Sequence, residues 1–324
     1  MAGDSDTDFN VLRHTFKGGR TAGCMDHSGI GFPLRRIDRG KGIHVAVGTQ
    51  GELARLNDAG EVTTPISRPF PAPIIDGITL EDRWVGIWLE REFREARMAA
   101  LPLDGEWPDG PGRDDLRLSS IISEEVHPPD TIWHRILDTE PMKLGQLSGN
   151  IVFSTLGGVY MIDPDANEKW RAQLPLWTEI SEMGVQDMIV SILEIPGGVS
   201  VWSQAGGVAV LDHVDGSLIY SRVLNLGDKV VNTVFSKDGG WLVMLHGGSI
   251  ALLDQIEGTP EILRNIGPVM DSQFIEGEWR WTGWRHDGRL TKDGIKSVRR
   301  DSIGVAMLNG TVFTNDGMWS DYSA

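Results

Sequence analysis

Short apolar runs separated by glycine and aspartate recur along the whole chain. The pattern is clearest in residues 148–170, which read SGNIVFSTLGGVYMIDPDANEKW. Two apolar runs flank Gly157-Gly158, and Asp163 begins a turn that leads to a third segment ending at Trp170. The alternation of apolar and polar residues, with glycine, proline and aspartate at the boundaries, favours an antiparallel three-stranded meander over a helix.

The same order of strand, glycine, strand and aspartate turn recurs from one end to the other. Residues 199–212 and 241–254 repeat it almost position for position. Weaker copies occupy residues 43–66, 84–104, 279–294 and 303–316. The turn residues that mark the units are Asp58, Asp104, Asp163, Asp212, Asp254, Asp293 and Asp316. Apart from the last pair they lie roughly 40 to 60 residues apart, which is the period of a propeller blade.

One unit of this kind cannot bury its own face, so neighbouring units must cover one another. Closing the stack into a ring leaves only short, protected edges. We therefore predict an all-β fold: a single β-propeller domain over residues 9–324 after a disordered leader at residues 1–8. Seven turn positions predict seven blades, with six or eight as alternatives. Only 23 residues separate Asp293 from Asp316, so we expect amino-terminal strands from residues 13–38 to pair with carboxy-terminal strands and close the ring.

An irregular insertion interrupts the repeats at residues 104–145. Just before it, the charged stretch at residues 90–95 has helix-like i,i+4 spacing, but the strand order around it predicts a long hairpin tip. We expect a short helix near residues 131–137. Loops longer than ~12–15 residues tend to be functional, so the irregular segment at residues 90–142 is expected either to carry specific recognition or to cap a blade edge. Its candidate partner-binding residues are Phe93, Arg94, Trp107 and Trp133.

Tryptophans form a second set of candidates. Trp84, Trp170, Trp202 and Trp241 occupy strand positions where packing between blades is expected. Trp279 and Trp281 alternate on one face of a strand, and Trp284 with Arg285 follows near a turn. Because aromatic residues and arginine are enriched at binding hot spots, the exposed part of this second cluster is expected to mark a contact surface.

Composition narrows the range of partners. The formal net charge is −16, from 46 acidic and 30 basic residues, which opposes binding to nucleic acid or anionic membranes. Residues 1–10 lack the basic and apolar segments of a secretory signal, and no apolar run approaches the ~18 residues that span a bilayer. Cys24 is the single cysteine, so no intramolecular disulfide can form. We expect a soluble, cytoplasmic protein that is monomeric on its own.

Two stretches resemble known propeller repeats. Residues 235–243, FSKDGGWLV, resemble the loop and first strand of WD40-like repeats, and residues 158–170 are similar to repeats of quinoprotein-like (PQQ-like) propellers. The resemblance covers about residues 42–316 and implies the propeller architecture, which hosts many functions. The Trp-Asp dipeptide of WD40 repeats is absent, and no adjacent cysteine pair is present to stack on a quinone. We therefore expect no cofactor, and in particular no quinone with calcium.

Motifs for catalysis or metal binding are missing from the sequence. There is no phosphate-binding loop, no His-Glu-x-x-His, and no complete dinucleotide fingerprint. Asp163, Asp165 and Asn167 have the spacing of calcium ligands, but Glu168 and Leu174 stand where glycine and glutamate are required, so a turn is predicted. The sequence nominates no catalytic, cofactor-binding or metal-binding residue.

These observations favour a non-enzymatic platform for protein–protein interaction. The alternative is an enzyme or small-ligand binder whose site is assembled at the mouth of the central channel from several blades. Such a site leaves no local motif, because its residues lie far apart in the chain. The channel lining separates the two hypotheses: convergent charged residues favour chemistry, whereas small apolar residues favour a scaffold.

Overall fold

The fold was analysed in a computed structural model that describes residues 29–92, 95–122, 125–184 and 186–324. Its strands form seven antiparallel sheets, each built from consecutive segments of the chain. Blade 1 contains β1 (Leu34–Asp38), β2 (His44–Gly48) and β3 (Leu53–Leu56). Blade 2 contains β4 (Ile74–Thr79), β5 (Arg83–Glu90), β6 (Glu95–Pro102) and β7 (Trp133–Ile136), with helix α1 (Arg113–Ile122) between β6 and β7. Blade 3 contains β8 (Pro141–Leu147), β9 (Asn150–Thr155), β10 (Gly158–Ile162) and β11 (Glu168–Ala172).

The remaining blades follow helix α2 (Thr178–Glu182). Blade 4 contains β12 (Ile189–Ile195), β13 (Gly198–Ser203), β14 (Gly207–Asp212) and β15 (Leu218–Val223). Blade 5 contains β16 (Val230–Ser236), β17 (Gly240–Leu245), β18 (Ile250–Leu253) and β19 (Glu261–Leu263). Blade 6 contains β20 (Val269–Ile275), β21 (Glu278–Gly283), β22 (His286–Thr291) and β23 (Gly294–Arg299). Blade 7 contains β24 (Gly304–Leu308), β25 (Thr311–Thr314) and β26 (Trp319–Asp321).

The first strands of the seven blades contact one another in a closed circle, in which β24 meets both β20 and β1. The predicted all-β, seven-bladed propeller is therefore confirmed. Because consecutive strands are antiparallel, the links between blades and the turns between second and third strands lie on one face of the ring. We call this the link face. In the described part of the chain, no helix is long and apolar enough to cross a membrane.

Tryptophans fill the spaces between blades, as predicted. Trp84, Trp202 and Trp241 are buried in the core. Trp170 of β11 packs on Gly216 in blade 4, and its Nε1 donates to the carbonyl oxygen of His213 at 3.3 Å. A Cβ at Gly216 would lie 2.6 Å from the indole, and the φ of +73° also requires glycine. Blade 3 is thereby seated directly against the backbone of blade 4.

The predicted turn aspartates mark the same turn in six blades. From Asp58 to Asp293 they follow the third strand, whereas Asp316 lies between the second and third strands of blade 7. This explains the short final spacing. At Asp163 the turn is stabilised by its own side chain, because Oδ1 accepts the backbone N–H groups of Asp165 at 3.0 Å and Asn167 at 2.8 Å. Such an Asx arrangement is the turn-forming role expected from the sequence.

Two local predictions have opposite outcomes. The hairpin tip is confirmed, because β5 and β6 pair up to Glu90 opposite Glu95. The short helix near residues 131–137 is wrong: Trp133–Ile136 is strand β7, and the helix is α1 at Arg113–Ile122. Helix α1 starts after Gly112, whose N–H donates to the Asp115 carboxylate at 2.8 Å, as in a capping box. Between the end of β6 and the start of β7, the irregular insertion spans residues 103–132, a shorter range than the expected 104–145.

The first and last blades meet but remain three-stranded within the described residues. The Ile30 N–H donates to the Gly317 carbonyl oxygen at 2.8 Å, so the start of the described chain lies beside blade 7. Residues 13–28, which would supply the predicted closing strand, fall outside the described residues, as does the leader at residues 1–8. Closure by pairing of the two ends therefore stays a prediction. A deletion ending at residue 28 tests it, because it leaves β1 intact.

Candidate binding surfaces

Three of the predicted partner-binding tryptophans are buried. Trp279 and Trp281 are 3% and 0% exposed and lie in the core between blades 5 and 6. Trp107 is 8% exposed; its Nε1 donates to the Pro102 carbonyl oxygen at 2.7 Å, and the Arg55 guanidinium lies over its ring. These side chains stabilise the fold and are not accessible as a contact surface. The reason is that both faces of each sheet are covered by neighbouring blades or by the insertion.

The other predicted site residues are scattered around the ring. Trp284 and Arg285 form the turn between β21 and β22 on the link face, and the Trp284 side chain is 57% exposed. Trp133 is half-buried, and its Nε1 donates to the Pro164 carbonyl oxygen of blade 3 at 2.7 Å. Phe93 and Arg94 lie outside the described residues. Blades 2 and 6 are not neighbours, so Trp133 does not form one site with Trp284 and Arg285. The partner-binding role of the predicted residues remains a prediction.

The insertion at residues 103–132 packs back onto blade 2. Leu116 of α1 is fully buried beside Trp84 and Trp88. The Arg97 guanidinium donates to the Val126 carbonyl oxygen at 3.1 Å. Arg113 pairs with Glu92 at 2.7 Å, which ties the helix to the hairpin tip. The insertion therefore acts as a cap over the outer part of blade 2.

A groove of about 680 Å³ separates the start of this insertion from blade 1 and the link at residues 66–73. Several of its polar groups are paired with one another. Arg68 bonds to Glu52 at 2.8 Å, and the Arg68 N–H donates to Asp109 at 2.8 Å. The groove is therefore a mainly polar surface in which these three residues are already bonded.

The link between blades 3 and 4, residues 173–188, is the second unusual segment. The links after blades 2, 4, 5 and 6 contain four to six residues, whereas this one contains sixteen. It is anchored by Trp177, which packs on Gly207 and donates from Nε1 to the Val208 carbonyl oxygen at 3.3 Å. Beyond this anchor the link exposes apolar side chains: Leu176 is 82% exposed and Met183 is 60% exposed.

Cavities lie on both sides of Leu176. One, of about 450 Å³, runs between the link and the turn from β14 to β15, and we call it the Leu176 groove. Its apolar lining is Ala172, Leu174, Pro175, Leu176, Leu211 and Leu218. Leu218 is 57% exposed. A smaller cavity of about 200 Å³ lies between the link and the start of β12. Sequence reasoning missed this surface, although the apolar run LPLW in a link was a visible signal.

The central channel contains a third candidate site, a cavity of about 210 Å³. The first strand of every blade has a register irregularity at its second residue, and the residue after it lines this cavity. These seven residues, which we call the channel ring, are Arg36, Asp76, Lys143, Ser191, Asn232, Asp271 and Ala306. Bulges re-aim side chains, and here the same bulge aims six polar residues at one space.

The sequence signal for the channel ring was a recurring triplet, visible as IID, PMK, IVS, VVN and VMD, in which a polar residue follows two mostly apolar ones. The repeat pattern in the sequence begins at the second strand of each blade, so it does not include this triplet in the first strand. Blade 1 has a more charged version of the triplet, Leu34-Arg35-Arg36, and blade 7 has Gly304-Val305-Ala306.

Charged groups in the channel are paired within and across blades. Arg36 bonds to Asp38 of its own strand at 2.7 Å, and Lys143 of blade 3 lies 3.5 Å from Asp76 of blade 2. Arg39 pairs with Asp271 and donates to the Met307 carbonyl oxygen, which joins blade 1 to blades 6 and 7. Burial raises the pKa of the Asp38 and Asp271 carboxyls, and the neighbouring arginines oppose that rise. The lining is thus convergent and charged, which is the arrangement that favours a small-ligand site.

Comparisons with known proteins identify a fold and nothing finer. No protein-family model matches the chain, and no curated protein matches its sequence. Among solved structures, BamB from Moraxella catarrhalis matches with a TM-score of 0.57 and 12% identity, covering 88% of this chain and 82% of that one. The WD40 propeller domain of Doa1 matches with a TM-score of 0.60 and 10% identity, covering 91% and 93%.

A third similar structure is the β-propeller domain of Cps50 (Swd1) from Myceliophthora thermophila. It has a TM-score of 0.61 and 9% identity, and the match covers 90% of this chain and 96% of that one. At such low identity these likenesses concern the fold alone. They confirm the resemblance to WD40-like and quinoprotein-like repeats at the level of architecture: the chain has a β-propeller fold similar to that of BamB and of WD40 propeller domains.

Proposed function

We propose that this protein is a non-enzymatic platform for protein–protein interaction and that the Leu176 groove is a contact surface. The observation that carries the proposal is the 82% exposure of Leu176, on a link ten residues longer than the longest of the four regular links. A link of four to six residues is enough to join two blades. The extra residues place apolar side chains in water, and the fold gains nothing from their exposure.

The composition of the groove supports a protein partner. Burying one leucine side chain stabilises a complex by about 1.5–3 kcal/mol, and exposed apolar patches with polar rims are typical of protein interfaces. Here Leu176 and Leu218 form the apolar centre, with Arg171 and Asp215 at the edge. The net charge of −16 makes nucleic acid and anionic membranes unfavourable partners. The charged lining of the channel favours the small-ligand alternative, but it shares no residue with this groove, so the two sites can be tested separately.

Partner binding can be tested by comparing matched leucine variants. The wild-type protein is used to capture a stoichiometric partner from native lysate, and its affinity is then measured for Leu176→Glu and Leu218→Glu. Leu156→Glu is the control, because Leu156 is 49% exposed in a turn of blade 3 outside the groove. We expect both groove variants to bind about tenfold or more weakly, since a charge would replace a buried apolar contact.

The control variant should bind like the wild-type protein, and all three variants should melt at similar temperatures because the changed side chains are exposed. Equal affinity in the two groove variants and the wild type would overturn the assignment of this surface. If Trp284→Ala alone abolished binding, the platform function would stand and the contact surface would be the turn in blade 6.

A further inference from the structure

The acceptors of the channel ring are already used by the protein. The Asp76 carboxylate accepts the Leu144 backbone N–H at 3.0 Å. The Asp271 carboxylate accepts the backbone N–H groups of Ser272 at 2.9 Å and Met307 at 2.7 Å. The bonds to Leu144 and Met307 join each carboxylate to the first strand of the next blade. One oxygen of Asp76 and both oxygens of Asp271 accept a backbone N–H group.

Three neighbouring donors of the ring are not used in this way. Lys143 makes no hydrogen bond within the described residues, and its Nζ lies 3.5 Å from the nearest carboxylate oxygen, on Asp76. Ser191 Oγ and Thr233 Oγ1 share a hydrogen bond of 2.8 Å in which either hydroxyl can donate; with Thr233 as the donor, the Ser191 proton is available to a ligand in the cavity. Asn232 Oδ1 accepts the Thr233 N–H at 2.9 Å, which leaves the Asn232 amide N–H groups unpaired in the described chain.

These donors come from consecutive blades. Lys143 is in β8, Ser191 in β12 and Asn232 in β16, and each follows the bulge of its strand. Strand β12 contacts both β8 and β16, so the three positions are adjacent around the channel. A cation, a hydroxyl and an amide thus surround one side of a cavity of about 210 Å³.

From this division of donors and acceptors we propose that the channel binds a small oxyanion, a phosphate or a compact carboxylate, held by Lys143, Ser191 and Asn232. A ligand with several acceptor oxygens matches these donors, whereas the Asp271 carboxylate already accepts two backbone N–H groups and the Arg39 guanidinium. The cavity is smaller than the ~300–1,000 Å³ typical of drug-sized ligands, which limits the ligand to a few heavy atoms. The side chains that line the cavity carry no net charge, because the cations of Arg36, Arg39 and Lys143 balance the carboxylates of Asp38, Asp76 and Asp271. The whole chain, in contrast, is strongly acidic.

Titration with two simple anions tests the proposal. Inorganic phosphate and malonate are each added to the full-length protein, and binding is followed by calorimetry and by the melting temperature. Sodium chloride at the same ionic strength is the reference, because screening alone changes the stability of a charged protein. Binding of either anion supports the site, and the comparison of the two shows whether phosphate or carboxylate is preferred.

Variants locate the binding to the channel. Lys143→Met removes the cation, and Asn232→Asp replaces the free amide donors with a carboxylate of the same shape. Each is expected to weaken anion binding about tenfold or more, the effect of losing a hydrogen bond to a charged group. Lys169→Met is the control, because Lys169 lies in the outer strand of blade 3 beside Asp163. It should bind the anion like the wild-type protein.

The nearly isosteric Asn232→Asp variant keeps the test valid if Lys143→Met fails to fold. Three results would overturn the proposal: no anion effect beyond that of sodium chloride, unchanged anion affinity in a folded Asn232→Asp variant, or specific stabilisation by calcium chloride in place of the anions. The outcome is independent of the proposed platform function, because neither Leu176 nor Leu218 lines the channel.

Discussion

Two segments are longer than a propeller needs: the insertion at residues 103–132 and the link at residues 173–188. They differ in how many of their apolar side chains are buried and how many are exposed. The insertion buries Trp107 and Leu116 against blade 2, and its groove is mainly polar and internally paired. The link buries Trp177 and Ile180 as anchors, yet leaves Leu176 and Met183 in solvent. The first is a cap on the fold, and the second has the properties of a contact surface.

The difference shows that the length of an insertion does not by itself indicate recognition. Irregular sequence made residues 90–142 the expected site either of specific recognition or of a cap, and in the structure Trp107 and Leu116 of this segment pack on blade 2. The two segments differ in how much of their apolar surface is buried against the blades and how much remains exposed to solvent. Leu118 of α1 is 55% exposed, so the contrast is one of degree, and it can be tested.

The largest expected effect is the loss of the cap. Trp107→Ala should lower the free energy of unfolding by about 3–5 kcal/mol, because it removes a buried indole and leaves a cavity beside Trp84. Chemical denaturation measures the change. Trp284→Ala is the control and should stay within about 0.5 kcal/mol of the wild type, since its indole is mostly exposed. A stable Trp107→Ala protein would mean that the insertion is not a structural cap.

A smaller effect is expected from disturbing the anchor of the link. A Cβ at Gly207 would lie 2.4 Å from the Trp177 indole, so Gly207→Ala should displace that ring at a cost of about 1–3 kcal/mol. Limited proteolysis should then cut residues 173–188 faster. Gly105→Ala in the other insertion is the matched control, because its Cβ would meet nothing closer than 3.6 Å. Unchanged cleavage would show that Trp177 does not hold the link.

Replacement of the exposed leucine should hardly change stability. Leu176→Ser is expected to alter the free energy of unfolding by less than about 0.5 kcal/mol, because the side chain is mostly in water in both states. The same variant should bind less of a hydrophobic dye than the wild type, since it removes the most exposed leucine of the groove. A clear loss of stability would show that Leu176 packs against the fold, and the groove would then lose its role as a free surface.

The smallest effect is predicted for the ion pairs of the cap. Arg113 pairs with Glu92 at the surface at 2.7 Å, and such an exposed pair is weakened by solvent and salt; its contact with the buried Glu90 is longer, at 3.5 Å. Arg113→Ala should therefore leave the melting temperature unchanged at physiological salt. A large decrease would mean that charge, in addition to the burial of Trp107 and Leu116, holds the insertion on blade 2.

Sequence reasoning identified the propeller but misplaced several site residues for a definable reason. The alternation of Trp279, Arg280 and Trp281 correctly places the two tryptophans on one face of β21. In a propeller both faces of a sheet are covered by neighbouring blades, so alternation cannot tell a core face from a surface face. The helix was expected near residues 131–137, whereas the Gly112–Asp115 bond caps a helix at Arg113–Ile122.

The sequence by itself determined the strands, the spacing of their turns and the number of units, because these follow from local alternation and from glycine and aspartate at turns. It also determined that Trp170 would pack between blades. Only the tertiary structure decided which apolar residues remain exposed, since that depends on what each segment meets. It alone assembled the channel ring, because Lys143, Ser191 and Asn232 lie more than 40 residues apart along the chain and become neighbours only when the ring closes.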